Sequence, residues 1–145
     1  MRVSDAMTRD VLVARPDQTI EAAARSMAEI DAGVLPVGEN DRLIGMITDR
    51  DIAIRAVGEG RSPSTPVREV MTSDVKYCFE DEDVDHVARN MGDQQVRRLP
   101  VVDRSKRLVG ILSLGDLAIE GSWKSAGQAM EGIARPGGSH SQPAG

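Results

Sequence analysis

Aromatic side chains are almost missing from this sequence of 145 residues, which has one Trp, one Tyr and one Phe. Stacking platforms for nucleic-acid bases are therefore scarce. The core must be assembled from Val, Ile, Leu, Met and Ala, within an ordinary 40% of hydrophobic residues. Cysteine occurs once, at Cys78, which excludes an intramolecular disulfide, and two His residues do not make the ligand set of a structural zinc site. A reducing, cytoplasmic setting is expected. No apolar run approaches the ~20 residues needed to cross a bilayer, and the opening Met1-Arg2-Val3-Ser4-Asp5 does not read as a leader peptide. The net charge of −5 argues against general binding to nucleic-acid duplexes, because nonspecific affinity rests on Lys and Arg neutralising phosphates.

What the chain does have is a repeat. At an offset of 64 residues Val3 falls on Val67, Met7-Thr8 on Met71-Thr72, and Asp10-Val11 on Asp74-Val75. The register holds through Ala24, Arg25 and Met27 on Ala88, Arg89 and Met91, and through Leu35-Pro36-Val37 on Leu99-Pro100-Val101. One extra residue then shifts the offset to 65, pairing Arg42-Leu43 with Arg107-Leu108, Gly45 with Gly110, Thr48 with Ser113 and Asp51 with Asp116. The insertion falls where a turn tolerates it.

Each copy carries the same pattern. A short strand, Val11-Leu12-Val13, precedes a helix whose Ile20, Ala23, Ala24 and Met27 recur at helical spacing on one face, as Val84, Val87, Ala88 and Met91 do in the second copy. Two apolar runs, Val34 to Val37 and Leu43 to Ile47, flank the polar Gly38-Glu39-Asn40-Asp41 and read as a hairpin. A second helix follows from Thr48. The unit is strand, helix, strand, strand, helix, and so few strands cannot cover both faces of their own sheet. The fold class expected is α+β, with two tandem units packed as a pseudo-twofold pair. Residues 1–57 are the first repeat, 58–66 a linker, 67–121 the second repeat, 122–135 a helical extension signalled by Trp123 and Met130, and 136–145 a disordered tail containing His140.

The chemistry-bearing pattern is an apolar strand ending in a hydroxyl with a carboxylate three residues on: Gly45-Met46-Ile47-Thr48-Asp49-Arg50-Asp51 and Gly110-Ile111-Leu112-Ser113-Leu114-Gly115-Asp116. In one reading the pair is a variant capping box that starts a helix, worth about 1 kcal/mol. In the other, the hydroxyl donates to a phosphate at the helix start and the carboxylate accepts both hydroxyls of a ribose. Capping and binding are compatible, since the groups can exchange partners.

Taken together, the twice-occurring M-T-x-D-V opening, L-P-V step and G-h-h-[ST]-x-x-D ending, where h is apolar, resemble the CBS-domain family, named after cystathionine beta-synthase, over about residues 3 to 121. The likeness is to short bacterial stand-alone pairs, or Bateman modules, in which the steps at 48 to 51 and 96 to 102 recur. It implies a regulatory module without catalytic residues or required cofactor, a homodimer whose two clefts take AMP, ADP, ATP or S-adenosylmethionine and whose state a separate effector protein reads. Carried over, the first cleft would use Thr48, Asp51, Val75, Lys76, Arg97 and Arg98, and the second Val11, Leu12, Gly33, Val34, Ser113 and Asp116. Only the first set holds an arginine pair, so it should prefer polyphosphates. Strand alternation would send Arg97 and Arg98 to opposite faces.

Two other classes compete. A ligand-free dimerisation or interaction protein would use the hydroxyl and acid pairs only as caps. An enzyme is disfavoured, because His86, His140 and Cys78 lie beside no nucleophile or activation motif.

Overall fold

The computed structural model describes residues 1–136. In chain order its regular elements are α1 (Val3–Ala6), α2 (Ile20–Ile30), β1 (Val34–Glu39), β2 (Arg42–Thr48), α3 (Asp49–Asp51), β3 (Cys78–Phe79), α4 (Val84–Gln94), β4 (Arg98–Val102), β5 (Leu108–Ser113), α5 (Leu114–Ile119) and α6 (Trp123–Ala134). After α3 the helix continues as a π-helical turn over Ile52–Ala56 and a 3-10 turn over Val57–Glu59. The helix and strand content is that of an α+β chain built on one unit used twice.

Two compact units form, and they are not the two sequence repeats. Unit I is Val11–Val75 with Lys106–Leu108; among the described residues, unit II joins Met1–Asp10 to Lys76–Ser105 and to residues 109–136. The opening segment of the first repeat is thus built into the unit that holds the second repeat's sheet, and Met71-Thr72 of the second repeat into the unit that holds the first.

In unit I, β1 and β2 pair antiparallel from Val34↔Thr48 to Glu39↔Arg42, with a bulge at Val37/Gly38. The strands run further than the apolar runs alone indicate, and narrow the turn to Asn40 and Asp41, both with positive φ (56° and 64°). That is the two-residue turn whose twist matches a hairpin, and Asn and Asp tolerate the left-handed region better than most residues. Thr19 caps α2 by accepting from the Ala22 N–H at 3.1 Å. The 58–66 stretch completes the start of the helix, with the Thr65 and Pro63 carbonyls accepting from the Ile20 and Glu21 N–H groups.

The strand expected at Val11-Leu12-Val13 is absent. One parallel bridge, Ala14↔Val37, stands in its place, with the Ala14 N–H on the Pro36 carbonyl and the Gly38 N–H on the Ala14 carbonyl, both 2.9 Å. Extending this ladder would need N–H donors at Pro36 in one direction and Pro16 in the other, and proline has none. Leu12 and Val13 are exposed in consequence. In unit II the position matching Pro16 is Glu80, whose N–H reaches the Val102 carbonyl at 2.9 Å, and β3 pairs with β4 over two residues.

Unit II stacks β3, β4 and β5 in that order against α4, with Val3, Ala6, Val87, Ala88, Met91, Leu99, Val101, Leu112 and Leu117 in its core. Unit I has its own core around Ala14, Ile20, Ala23, Met27, Leu35, Val37, Ile47, Val67 and Val70. The α4 stripe is buried as its spacing implies, but Ala24, its partner in the α2 stripe, is exposed. The difference is α6, which packs on α4 and α5. The Ser125 hydroxyl donates to the Asp85 carboxylate, and the Gln95 amide donates to the Gly132 and Arg135 carbonyls at 3.2 and 2.7 Å. The packing of α6 rests on Ser125, Ala129 and Gly132, whereas Trp123 is 86% exposed and Met130 also faces outward. Of the tail expected at 136–145, residues 137 onward, with His140, lie outside the described residues. No helix among the described residues is long and apolar enough to cross a membrane.

Candidate functional site

Both hydroxyl and acid pairs sit where a strand hands over to a helix, and both close as reciprocal capping boxes. In unit I the Thr48 Oγ1 accepts from the Asp51 N–H and the Thr48 N–H donates to Asp51 Oδ2, each at 3.0 Å. In unit II the Ser113 Oγ accepts from the Asp116 N–H and the Ser113 N–H donates to Asp116 Oδ2, again at 3.0 Å. The capping reading is thus realised in both copies, with Asp in the place usually held by Glu or Gln. It leaves two groups to spare in each pair. The hydroxyl proton is not consumed by capping, and the box uses only one of the two carboxylate oxygens. All four side chains are half-buried, so they are positioned by the fold and still open to a ligand.

The second oxygens differ. Asp116 Oδ1 accepts from the Thr8 hydroxyl at 3.4 Å. Asp51 Oδ1 receives no hydrogen bond among the described residues. Thr8 reaches Asp116 because its backbone is bonded to β5 in both directions, Thr8 N–H to Ile111 carbonyl at 2.8 Å and Ile111 N–H to Thr8 carbonyl at 2.9 Å. Thr72 is held against Met46 of β2 in the same way, at 2.8 and 2.9 Å.

These crossings account for the glycine that opens each motif. A Cβ on Gly45 would stand 2.7 Å from Met71 Sδ and 2.9 Å from the Thr72 carbonyl oxygen. A Cβ on Gly110 would stand 2.8 Å from Met7 Sδ and 2.7 Å from the Thr8 carbonyl oxygen. Only glycine lets the Met-Thr strap lie this close to the strand. The repeated Met-Thr step and the repeated glycine were both visible in the sequence, but nothing local linked one to the other across more than 25 or 100 residues, and so Thr8 and Thr72 went unassigned.

The remaining residues of the expected clefts divide between the units. Val75 lies with Thr48 and Asp51 in unit I, as do Val11, Leu12, Gly33 and Val34; Lys76, Arg97 and Arg98 lie with Ser113 and Asp116 in unit II. Within unit I, Val34 is register partner of Thr48, and the Gly33 carbonyl accepts from the Asp49 N–H at 2.9 Å. Within unit II, the Arg97 carbonyl accepts from the Leu114 N–H at 2.9 Å. Each unit thus brings the residue just before its first long strand to the start of its second helix. Arg97, Arg98 and Lys76 are exposed. An open cavity of about 340 Å³ lies in unit I, bounded by Ala24, Met27, Ala28, Asp31, Ala32, Gly33, Asp49 and Ile52, which is the surface that α2 leaves uncovered.

Gly115 makes no close approach, since a Cβ there would meet only Ser113 Oγ at 3.6 Å. Cys78 is buried in β3, and burial, helped by the Glu82 carboxylate, pushes its thiol up to about 12, so it is not a thiolate at neutral pH. Among the described residues no three His, Cys, Asp or Glu side chains gather as they would around a metal ion.

Comparison with known proteins identifies the family of the fold. The CBS domain family model matches residues 3–58 and 67–120. The chain is 43% identical over 132 residues to the CBS domain-containing protein YhcV of Bacillus subtilis, a match covering 90% of this chain and 94% of that protein. In structure it is similar to Hypoxic Response Protein I with two coordinated zinc ions, at a TM-score of 0.75 and 36% identity over 82% of this chain and 98% of that one. It is similar too to the CBS domain pair of protein MJ0100 in complex with 5′-methylthioadenosine and S-adenosyl-L-methionine, at a TM-score of 0.73 and 32% identity over 82% of this chain and 94% of that one.

Proposed function

The chain belongs to the CBS-domain family, and from that premise we propose that it is a non-catalytic cytoplasmic sensor that binds an adenine nucleotide, or another adenosine ligand, and passes its occupancy to a separate effector protein. The observation that carries this reading is what each capping box leaves over: an unspent hydroxyl proton and a second carboxylate oxygen, open at Asp51 and met by the long Thr8 contact at Asp116, half-buried at the same handover from strand to helix in both units. A hydroxyl donor beside a carboxylate acceptor suits phosphate and ribose together. The MJ0100 pair, which carries two adenosine compounds, supports the ligand class.

AMP, ADP, ATP and S-adenosylmethionine remain the candidates. Thr48 and Asp51 with Val75, Lys76, Arg97 and Arg98 form the set assigned to polyphosphates, and Ser113 and Asp116 with Val11, Leu12, Gly33 and Val34 the weaker set. A homodimer is part of the proposal, and ligand would act by favouring one arrangement of the module over another, to the extent that it binds the two unequally.

A thermal-shift series with AMP, ADP, ATP, S-adenosylmethionine and GTP tests the reading. Ligand at about 100 times its dissociation constant should stabilise the folded chain by roughly 2.7 kcal/mol. Stabilisation by an adenine ligand but not by GTP, reduced in Asp51→Ala or Asp116→Ala, is the expected result. The closed capping boxes favour one competing reading, a ligand-free interaction protein, and no shift with any of the five compounds would establish that instead.

A further inference from the structure

Resting on the reading above, we infer that Thr8 sets the difference between the two acids: its hydroxyl occupies the Asp116 oxygen that a ribose would use, so that Asp51 is the principal ligand acid and Asp116 a gated one.

The two motifs form a controlled comparison within one chain. Their capping boxes have the same four atoms at the same 3.0 Å separations. The acids differ in what meets the other oxygen. Asp51 Oδ1 has no donor among the described residues, while Asp116 Oδ1 takes the Thr8 hydroxyl at 3.4 Å. An incoming ribose hydroxyl would find the first oxygen open and would have to displace or share with Thr8 at the second. A long hydrogen bond at an exposed hydroxyl is a modest obstacle, which makes it a tuning device and not a block.

Thr8 is not held in place by this bond. Its N–H and carbonyl are both fixed to Ile111, and Met7 beside it lies against Gly110. Removing the hydroxyl alone therefore leaves the strap docked, and Thr8→Val, close in shape, isolates the hydroxyl's effect.

The experiment is isothermal titration calorimetry of the full chain with AMP and, separately, with S-adenosylmethionine, on wild type, Thr8→Val, Thr8→Ala, Thr8→Ser, Asp51→Asn and Asp116→Asn, with circular dichroism to confirm folding. The wild type is expected to show its tighter site lost in Asp51→Asn and kept in Asp116→Asn. Thr8→Val and Thr8→Ala should tighten the Asp116 site by about threefold, less than the roughly tenfold of a well-formed hydrogen bond to a carboxylate because this one is long and exposed. Thr8→Ser, which keeps the hydroxyl, should match wild type. An Asp116 site that is unchanged or weaker without the hydroxyl overturns the inference while leaving nucleotide binding standing. Failure of both probes to bind any variant overturns the sensor reading and this inference with it.

Discussion

Gly132 of α6 lies so close to Gly92 of α4 that a Cβ added to it would stand 2.4 Å from the Gly92 carbonyl carbon. A Cβ on Gly92 would in turn meet the Gln128 carbonyl oxygen at 3.1 Å. The neighbours in both cases are helix backbone, which cannot rotate aside, so the two helices approach at the limit that glycine allows. Gly132→Ala should force α6 outward and cost about 1–3 kcal/mol. Urea denaturation would show a lower midpoint, and the same substitution at Gly127, where a Cβ meets nothing within 4 Å, should leave the midpoint unchanged or raised. Equal effects at the two positions would remove the close packing as the cause.

The motif glycines should separate in the same way. Gly110→Ala places a Cβ 2.7 Å from the Thr8 carbonyl oxygen and should loosen the Met7-Thr8 strap, destabilising the fold by at least about 1 kcal/mol. Gly115→Ala, inside α5 and in open contact, should gain about 0.5–1 kcal/mol from better helix propensity. Hydrogen exchange at the Thr8 and Ile111 amides reports on the strap directly, and faster exchange is expected only in the first variant.

The hairpin turn offers a third test. Asp41 holds φ at 64°, where a branched side chain is strained and glycine is not. Asp41→Val should lower stability by about 1–2 kcal/mol, and Asp41→Gly should be neutral or better. Thermal denaturation that ranks the two variants the other way would show that the aspartate side chain, and not the backbone, holds this turn.

Cys78 predicts a pH dependence with a definite sign. The folded thiol titrates near 12 instead of its ordinary 9.0, because burial and then Glu82 oppose the thiolate. Below pH 9 both folded and unfolded chains keep the proton and the contribution to stability is intact. Between 9 and 12 the unfolded chain releases the proton while the folded chain retains it, so stability falls as pH rises through that window. Cys78→Ala should lose this part of the alkaline decline, measured as the difference in denaturation midpoint between pH 8 and pH 10.5. The native thiol should also resist iodoacetamide at pH 8 until the protein is unfolded.

How much of this was legible depended on sequence distance. Thr48 and Asp51 are three residues apart, as are Ser113 and Asp116, and a helix start places such neighbours together whatever surrounds them; both capping boxes could be read directly. Asn40 and Asp41 announced their turn for the same reason. Pro16 and Pro36 are local signals of a different kind: each removes the N–H that would extend the parallel ladder at one end of the Ala14↔Val37 bridge, which reduces Val11-Leu12-Val13 to a segment beside a single bridge. Thr8 and Asp116 are 108 residues apart, and no periodicity brings them together.

The sequence by itself determined the repeated unit, the hairpins, the buried face of α4 and the two hydroxyl and acid pairs, because these follow from propensity and spacing over a few residues. Tertiary structure decided which sheet each Met-Thr strap joins, why Ala88 is buried while Ala24 is exposed, and which acid keeps an open oxygen. The repeats present nearly equal local patterns, so local preference cannot choose between partners. The choice falls to packing between distant segments, where one glycine, one proline or one additional helix decides which surfaces can meet.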